Sequence, residues 1–198
     1  LLAYASAQLV AGSMALQVLF EWPAWAGATL GAVMVTLYCF ASGIRASIWT
    51  DAAQSFVMMF GMGLLMVVAV SATGGVDATI TRMQAVEGFL DWFPQDLVVP
   101  GLAGGLLFAL SWMFAGLSVI GQPHIMVRFM TLKNSRNDML KARIWYYGWF
   151  SMFYAMATAV GMLSRIYLPE VADFDAELAL PTMALELLPP VLVGLVIA

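Results

Sequence analysis

Ala52-Ala-Gln-Ser-Phe-Val-Met-Met-Phe-Gly-Met-Gly-Leu-Leu-Met-Val-Val-Ala-Val-Ser-Ala72 carries no charged residue along its whole length. A helix crossing the hydrocarbon core of a bilayer needs about 20 predominantly apolar residues, and this stretch meets that need. The surrounding chain repeats the pattern. Leu1–Phe20, Trp25–Gly43, Val98–Ile120 and Ile144–Ser164 are similar apolar runs, and a sixth begins near Leu187. Lipid cannot satisfy an open backbone, so each run is expected to be helical.

The composition agrees. Of 198 residues, 63% are apolar and 10% are charged. A soluble domain averages about 25% charged residues, so a water-facing surface cannot be built from so few. The net charge is −4, with no basic groove for nucleic acid. Cys39 is the one cysteine, which rules out an internal disulfide and suits a small packing residue. Leu1 opens inside an apolar run without a basic n-region, and Ala198 ends inside another. Both ends are therefore expected to be truncated, and 1–198 is expected to be one partial membrane domain of five spans and the start of a sixth.

The breaks between the runs are legible. Glu21-Trp22-Pro23 and Gly43-Ile44-Arg45 read as tight turns, and Thr73-Gly74-Gly75 and Gly121-Gln122-Pro123 end the third and fourth spans. Pro169, Pro181, Pro189 and Pro190 punctuate the approach to the sixth. Asp77–Phe93 spaces Ile80, Met83, Val86 and Leu90 by three and four, as in a surface-lying helix. Asn134–Arg143 is polar and basic and should be solvated. Arg45, Arg128, Lys133, Arg136, Lys141 and Arg143 fall on one side of the alternating breaks, and Arg82 and Arg165 on the other. The excess of basic residues marks the cytoplasmic face, so the 121–143 loop is expected there. Trp22, Trp25, Trp92, Trp145 and Trp149 lie near span ends, where an aromatic belt belongs.

No catalytic constellation is present. His124 is the only histidine, and there is no Ser/His/Asp set, metal-ligand cluster or phosphate-binding glycine loop, so no enzyme and no resident cofactor are expected. Three features have two readings each. Gly101, Gly104, Gly105, Ala109, Ala115 and Gly116 suit either close helix packing or a helix broken near Gly116–Ser118 that frees backbone groups for a ligand. Tyr4 and Gln8 share a helix face with Gly12, for an interhelical hydrogen bond or for contact with a substrate. Thr50-Asp51 is expected to open the third span, with Asp51 as its N-terminal cap or as part of a cation route.

Gly121-Gln122-Pro123-His124-Ile125-Met126-Val127-Arg128-Phe129-Met130 resembles a motif of the sodium:solute symporters, and especially of their sodium/proline branch. Ser47-Ile48-Trp49-Thr50-Asp51-Ala52-Ala53-Gln54 is similar to that family's Trp-Thr-Asp-x-x-Gln motif. Tyr4 with Val10-Ala11-Gly12, and the Ala142-Arg143 pair, match further stretches, so the resemblance runs through the chain in order.

The resemblance implies an all-α transmembrane fold, part of an inverted-repeat bundle of five plus five helices, covering core helices three to seven and the start of the eighth. It implies sodium-coupled import of a small organic solute across the inner membrane, with proline or a related amino acid the first candidate. Its partners would be a sodium ion, the solute and the lipid bilayer, with no nucleic acid. The family's main sodium ligands come from its first and eighth core helices, so no metal site is expected in these residues. Residue by residue, Tyr4 matches a tyrosine implicated at the substrate site, Pro123 a proline at its inner end, and Asp51 a carboxylate near the inner sodium exit. Where the proline transporters carry a tryptophan and a tyrosine, this chain has Ala115 and Val119. Trp112, one turn from Ala115, is placed to compensate.

A rise of 1.5 Å per residue puts Tyr4 roughly 25 Å below the Glu21 turn and Ala115 roughly 22 Å below Pro100. Both fall in the inner half of a bilayer, so the two can face one cavity; together with the resemblance this implies that Tyr4, Gln8, Trp112, Ala115, Val119 and Pro123 contact the solute. The alternative reading is a symporter-like sensor domain of a signalling protein, or symport of a different solute.

Overall fold

The computed structural model describes residues 2–94, 97–131, 136–168 and 175–197; the side chains of residues 38, 41, 42, 118 and 119 lie outside that description. Among the described residues the regular structure is helical, without a strand. The helices are α1 (Leu2–Phe20), α2 (Ala24–Ala72), α3 (Val76–Ala85), α4 (Gly101–Leu117), α5 (Pro123–Met130), α6 (Asn137–Tyr167), α7 (Ala179–Leu187) and α8 (Pro190–Ile197). Two 3-10 turns, Ser118–Gly121 and Ala176–Leu178, precede α5 and α7.

Among the described residues, two helices are long and apolar enough to cross a membrane, Leu2–Phe20 and the second arm of α2, Gly43–Ala72. Ala24–Leu37 and Gly101–Leu117 are apolar but shorter. α6 has 31 residues and absorbs the expected Ile144–Ser164 run. Its charged Asp138, Lys141, Arg143 and Arg165, with the polar atoms of Tyr146, Tyr147, Trp149 and Tyr154, make it less hydrophobic than α1 or α2.

The breaks follow local backbone chemistry. Glu21 takes a left-handed φ of 55° as α1 ends, and Pro23 stands at the N-cap of α2. Within α2 the helical geometry fails at one residue, Gly43 (φ 59°, ψ −149°), a conformation that glycine adopts without a Cβ penalty. The chain is helical again immediately afterwards. This corrects the expectation that Thr50-Asp51 opens the third span. Asp51 lies inside a continuous helix that starts at Gly43, beyond the first turn where a cap acts. Thr50 turns its hydroxyl back onto the Ala46 and Ser47 carbonyls, each at 3.0 Å. The helical conformation has no need of a cap there, because the preceding turn already supplies the acceptors.

The chain forms two compact units, Leu1–Arg82 with Met152–Ala198, and Met83–Ser151. In the first, α2 contributes a buried stripe at helical spacing, Met59, Met62, Leu65 and Ala69. Val160 and Leu163 of α6, Leu168 just after it, Met183 and Ala184 of α7, Leu188, and Val193 and Val196 of α8 complete the described core. Glycine permits the closest approaches. A Cβ on Gly27 would lie 3.0 Å from Ser13 Cα, and one on Gly61 would lie 3.0 Å from Val196 Cα. Gly27 and Gly31 sit four apart on the α2 face turned to α1, the small-xxx-small spacing that brings helix backbones together. At the far end of α2, Thr73 and Thr79 share a buried hydroxyl hydrogen bond of 2.5 Å across the Gly74-Gly75 corner.

In the second unit the glycines of α4 serve a local purpose. Gly104 and Gly105 are buried, Gly104 against Val99 and Gly105 against the Phe93 ring. The small face of α4 thus receives the chain that leads into it, whereas a Cβ on Gly116 would meet nothing within 4 Å. The α-helix ends at Leu117 and tightens into the 3-10 turn, so the discontinuity falls at the Gly116–Ser118 position considered from sequence. Gln122 then takes an extended conformation and Pro123 occupies the first turn of α5, where its missing N–H is harmless. The surface-lying helix expected over Asp77–Phe93 is regular only to Ala85 and continues as turns.

Candidate functional site

A cleft in the first unit has a volume of about 670 Å³. Two helix stripes face it. α2 supplies Asp51, Gln54, Ser55, Met58 and Met62, and α6 supplies Phe153, Ala157, Val160, Gly161 and Ser164. Both sets follow the three-and-four spacing that keeps residues on one side of a helix. Ala15, the Ala176–Pro181 segment and the end of α8 close the remaining sides.

The walls are mostly apolar, and their polar groups come from few positions. Asp51 is half-buried and is the one charged residue in the Gly43–Ala72 arm beyond Arg45. Gln54 and Ser55 follow it by three and four residues, so a carboxylate, an amide and a hydroxyl point to one side. Ser55 and Ser164 each donate their hydroxyl to a backbone carbonyl at 2.8 Å, of Ala52 and Gly161 respectively. Their oxygen lone pairs remain available as acceptors. Glu177 brings a second carboxylate to the cleft. Its backbone N–H donates to Asp175 Oδ1 at 3.0 Å, which fixes the 3-10 turn that carries it. Such a set of oxygens in a largely apolar cleft is chemically suited to a hard cation or a polar solute.

The other sequence-derived residues are placed as follows. Tyr4 and Gln8 are exposed and four apart on α1, on one helical face, and neither lines the 670 Å³ cleft. Trp112 and Ala115 are exposed on α4 in the second unit, and the Trp112 ring makes an edge contact with Phe108 at 6.4 Å between centroids. Val119 lies in the 3-10 turn, and its side chain is outside the described residues. Pro123 is exposed at the start of α5. Tyr4 and Gln8 therefore belong to one compact unit, and Trp112, Ala115, Val119 and Pro123 to the other.

Sequence reasoning passed over Ser55, Ser164 and Glu177. Ser55 was discoverable, because it follows Asp51 by one helical turn. Glu177 was not. Its place in the cleft depends on how the Ala176–Leu178 turn packs. Among the described residues no three His, Cys, Asp or Glu side chains group to hold a metal.

Comparison with known proteins shows the family of the chain. The model of the sodium:solute symporter family matches residues 1–198. The sodium/pantothenate symporter of Haemophilus influenzae is 30% identical over 176 residues, which cover 85% of this chain and 34% of the relative. The sodium/proline symporter of Escherichia coli is 30% identical over 172 residues, covering 83% and 31%. Sodium/glucose cotransporter 4 of Danio rerio is 26% identical, covering 98% and 34%. The chain thus spans about a third of the length of the curated relatives it matches. These relatives are transporters, not enzymes. No solved structure matches the chain significantly.

Proposed function

Because the chain belongs to the sodium:solute symporter family, we propose that it forms part of a secondary transporter that imports a small organic solute with sodium across the bacterial inner membrane. In this reading 1–198 contributes five spans and the start of a sixth to an inverted-repeat bundle, and the 121–143 loop is cytoplasmic. The observation that carries it is the position of Asp51: a carboxylate immediately before the uncharged Ala52–Ala72 run of its helix, lining with Gln54 and Ser55 a cleft of about 670 Å³. Ionisable groups within membrane segments are expensive to keep and mark ion and substrate pathways. Asp51 serves the cation, and Tyr4, Gln8, Trp112, Ala115, Val119 and Pro123 contact the solute.

The relatives carry three different solute names, pantothenate, proline and glucose. Proline or a related amino acid remains the first candidate. Small side chains at Ala115 and Val119 favour a bulkier solute as the second reading. The test is uptake by the full-length protein in proteoliposomes, using labelled proline, pantothenate and glucose. An imposed inward sodium gradient should drive one of them at least several-fold faster than a potassium gradient. Equal uptake of every solute under both gradients would overturn the proposal.

A further inference from the structure

The Asp51 cleft holds far more space than a bare metal cation fills. Its volume of about 670 Å³ falls within the roughly 300–1,000 Å³ of sites that take small organic molecules. The lining is graded. Met62, Val160 and Val196 are apolar and buried, Met58 and Phe153 are half-buried, and Gln54 and Glu177 are exposed. Charge runs one way: Asp51 and Glu177 are carboxylates, and none of the described lining residues is Lys, Arg or His. Among the described residues these acids do not gather with a third His, Cys, Asp or Glu into a group that could hold a metal. The Phe153 ring lines the same space, and Met58 and Met62 bring polarizable thioethers to it. An aromatic face attracts a cation through its quadrupole, and quaternary ammonium groups are recognised in this way. A buried apolar floor with carboxylates at its margin matches an amphiphilic cation: burial of the apolar body drives binding, and the carboxylates set the sign of charge.

We infer that this cleft binds an organic ammonium ion with an apolar body. The charged nitrogen is held by the field of Asp51 and Glu177, and the body rests on Met62, Val160 and Val196 beside the Phe153 ring. This goes beyond the transport reading, in which Asp51 serves sodium and the solute is contacted by Tyr4 and other residues that do not line the cleft. The ammonium ion is a ligand of the cleft, not the transported solute.

The test is equilibrium binding of labelled benzyltrimethylammonium to the full-length protein in lipid nanodiscs, in potassium chloride, with binding to empty nanodiscs subtracted. Transport is not required. Two further probes separate charge from body: tetramethylammonium carries the charge with little apolar body, and phenylacetate carries the ring with the opposite charge. Benzyltrimethylammonium should bind about tenfold more tightly than either. Glu177→Gln should weaken it about fivefold, the loss of one exposed charge partner. Phe153→Leu should weaken it about threefold. Glu177→Asp and Phe153→Tyr should keep most of the affinity, and Glu87→Gln, outside the lining, should leave it unchanged. Equal binding of benzyltrimethylammonium and phenylacetate, or full affinity in both Glu177→Gln and Phe153→Leu, overturns the inference. If those two variants misfold, the three probes on wild type decide alone. Sodium-driven uptake without ammonium binding would sink this site and spare the transport reading, and ammonium binding without sodium-driven uptake would do the reverse.

Discussion

Gly27 of α2 lies so close to Ser13 of α1 that a Cβ at position 27 would stand 3.0 Å from Ser13 Cα and 3.1 Å from its Cβ. One turn on, a Cβ at Gly31 would meet only the Leu9 methyl, at 3.6 Å. The first contact is with backbone and cannot give way by a rotamer change, and the second is ordinary van der Waals contact. Gly27→Val should therefore destabilise the full-length protein in detergent by about 2 kcal/mol, the usual effect of overpacking. Gly31→Ala should be neutral or slightly stabilising, since alanine is the better helix former. Thermal unfolding of the two variants side by side checks this, and equal melting temperatures would show that the α1–α2 approach is looser than described.

Asp51 lies inside a helix, so replacing it should not unfasten a helix end. Asp51→Asn keeps the shape and removes the charge. We expect normal insertion and loss of sodium dependence or turnover. Uptake measured across a sodium titration decides the point. A wild-type activation curve in Asp51→Asn would remove Asp51 from the cation route.

Tyr4 is exposed on the helix face it shares with Gln8, and in the proposed transporter its hydroxyl serves the solute. Losing one hydrogen bond to a charged group weakens binding by about 1.5 kcal/mol or slightly more. Tyr4→Phe should therefore raise the apparent KM of the transported solute about tenfold. Val119→Tyr should shift preference towards proline by restoring an aromatic of the proline branch. A panel of labelled solutes tests both, and an unchanged KM for every one in Tyr4→Phe would make the tyrosine helix glue.

Topology can be read with single thiols in a Cys39→Ser background. Asn137, at the start of α6, and Asp77, in the first turn of α3, are both exposed. The excess of basic residues around 121–143 predicts that Asn137→Cys is shielded from an impermeant thiol reagent in intact cells, whereas Asp77→Cys reacts. The opposite labelling would invert the orientation.

Sequence alone determined the helical class. Ala52–Ala72 has no charge to place in water, and the residues that stop the helices act locally: Pro23, the Gly74-Gly75 corner and Pro123 break them by their own backbone limits. It also placed Asp51 and Gln54 together, because three residues along a helix is a fixed geometry. It misjudged where the third helix begins. Gly43 bends the chain at one residue and helix resumes at once, so the residues from Ile44 to Asp51, ahead of the expected start of the third span, are already helical. The tertiary structure alone decided what the glycines are for. Gly104 and Gly105 receive Val99 and Phe93, while Gly27 receives α1, and nothing in the local pattern distinguishes those uses. It alone brought Glu177 and Ser164 into the cleft with Asp51. Residues more than 100 positions apart meet only when the α6–α8 connection folds back onto α1 and α2, and that return depends on packing of the whole unit, which no local periodicity encodes.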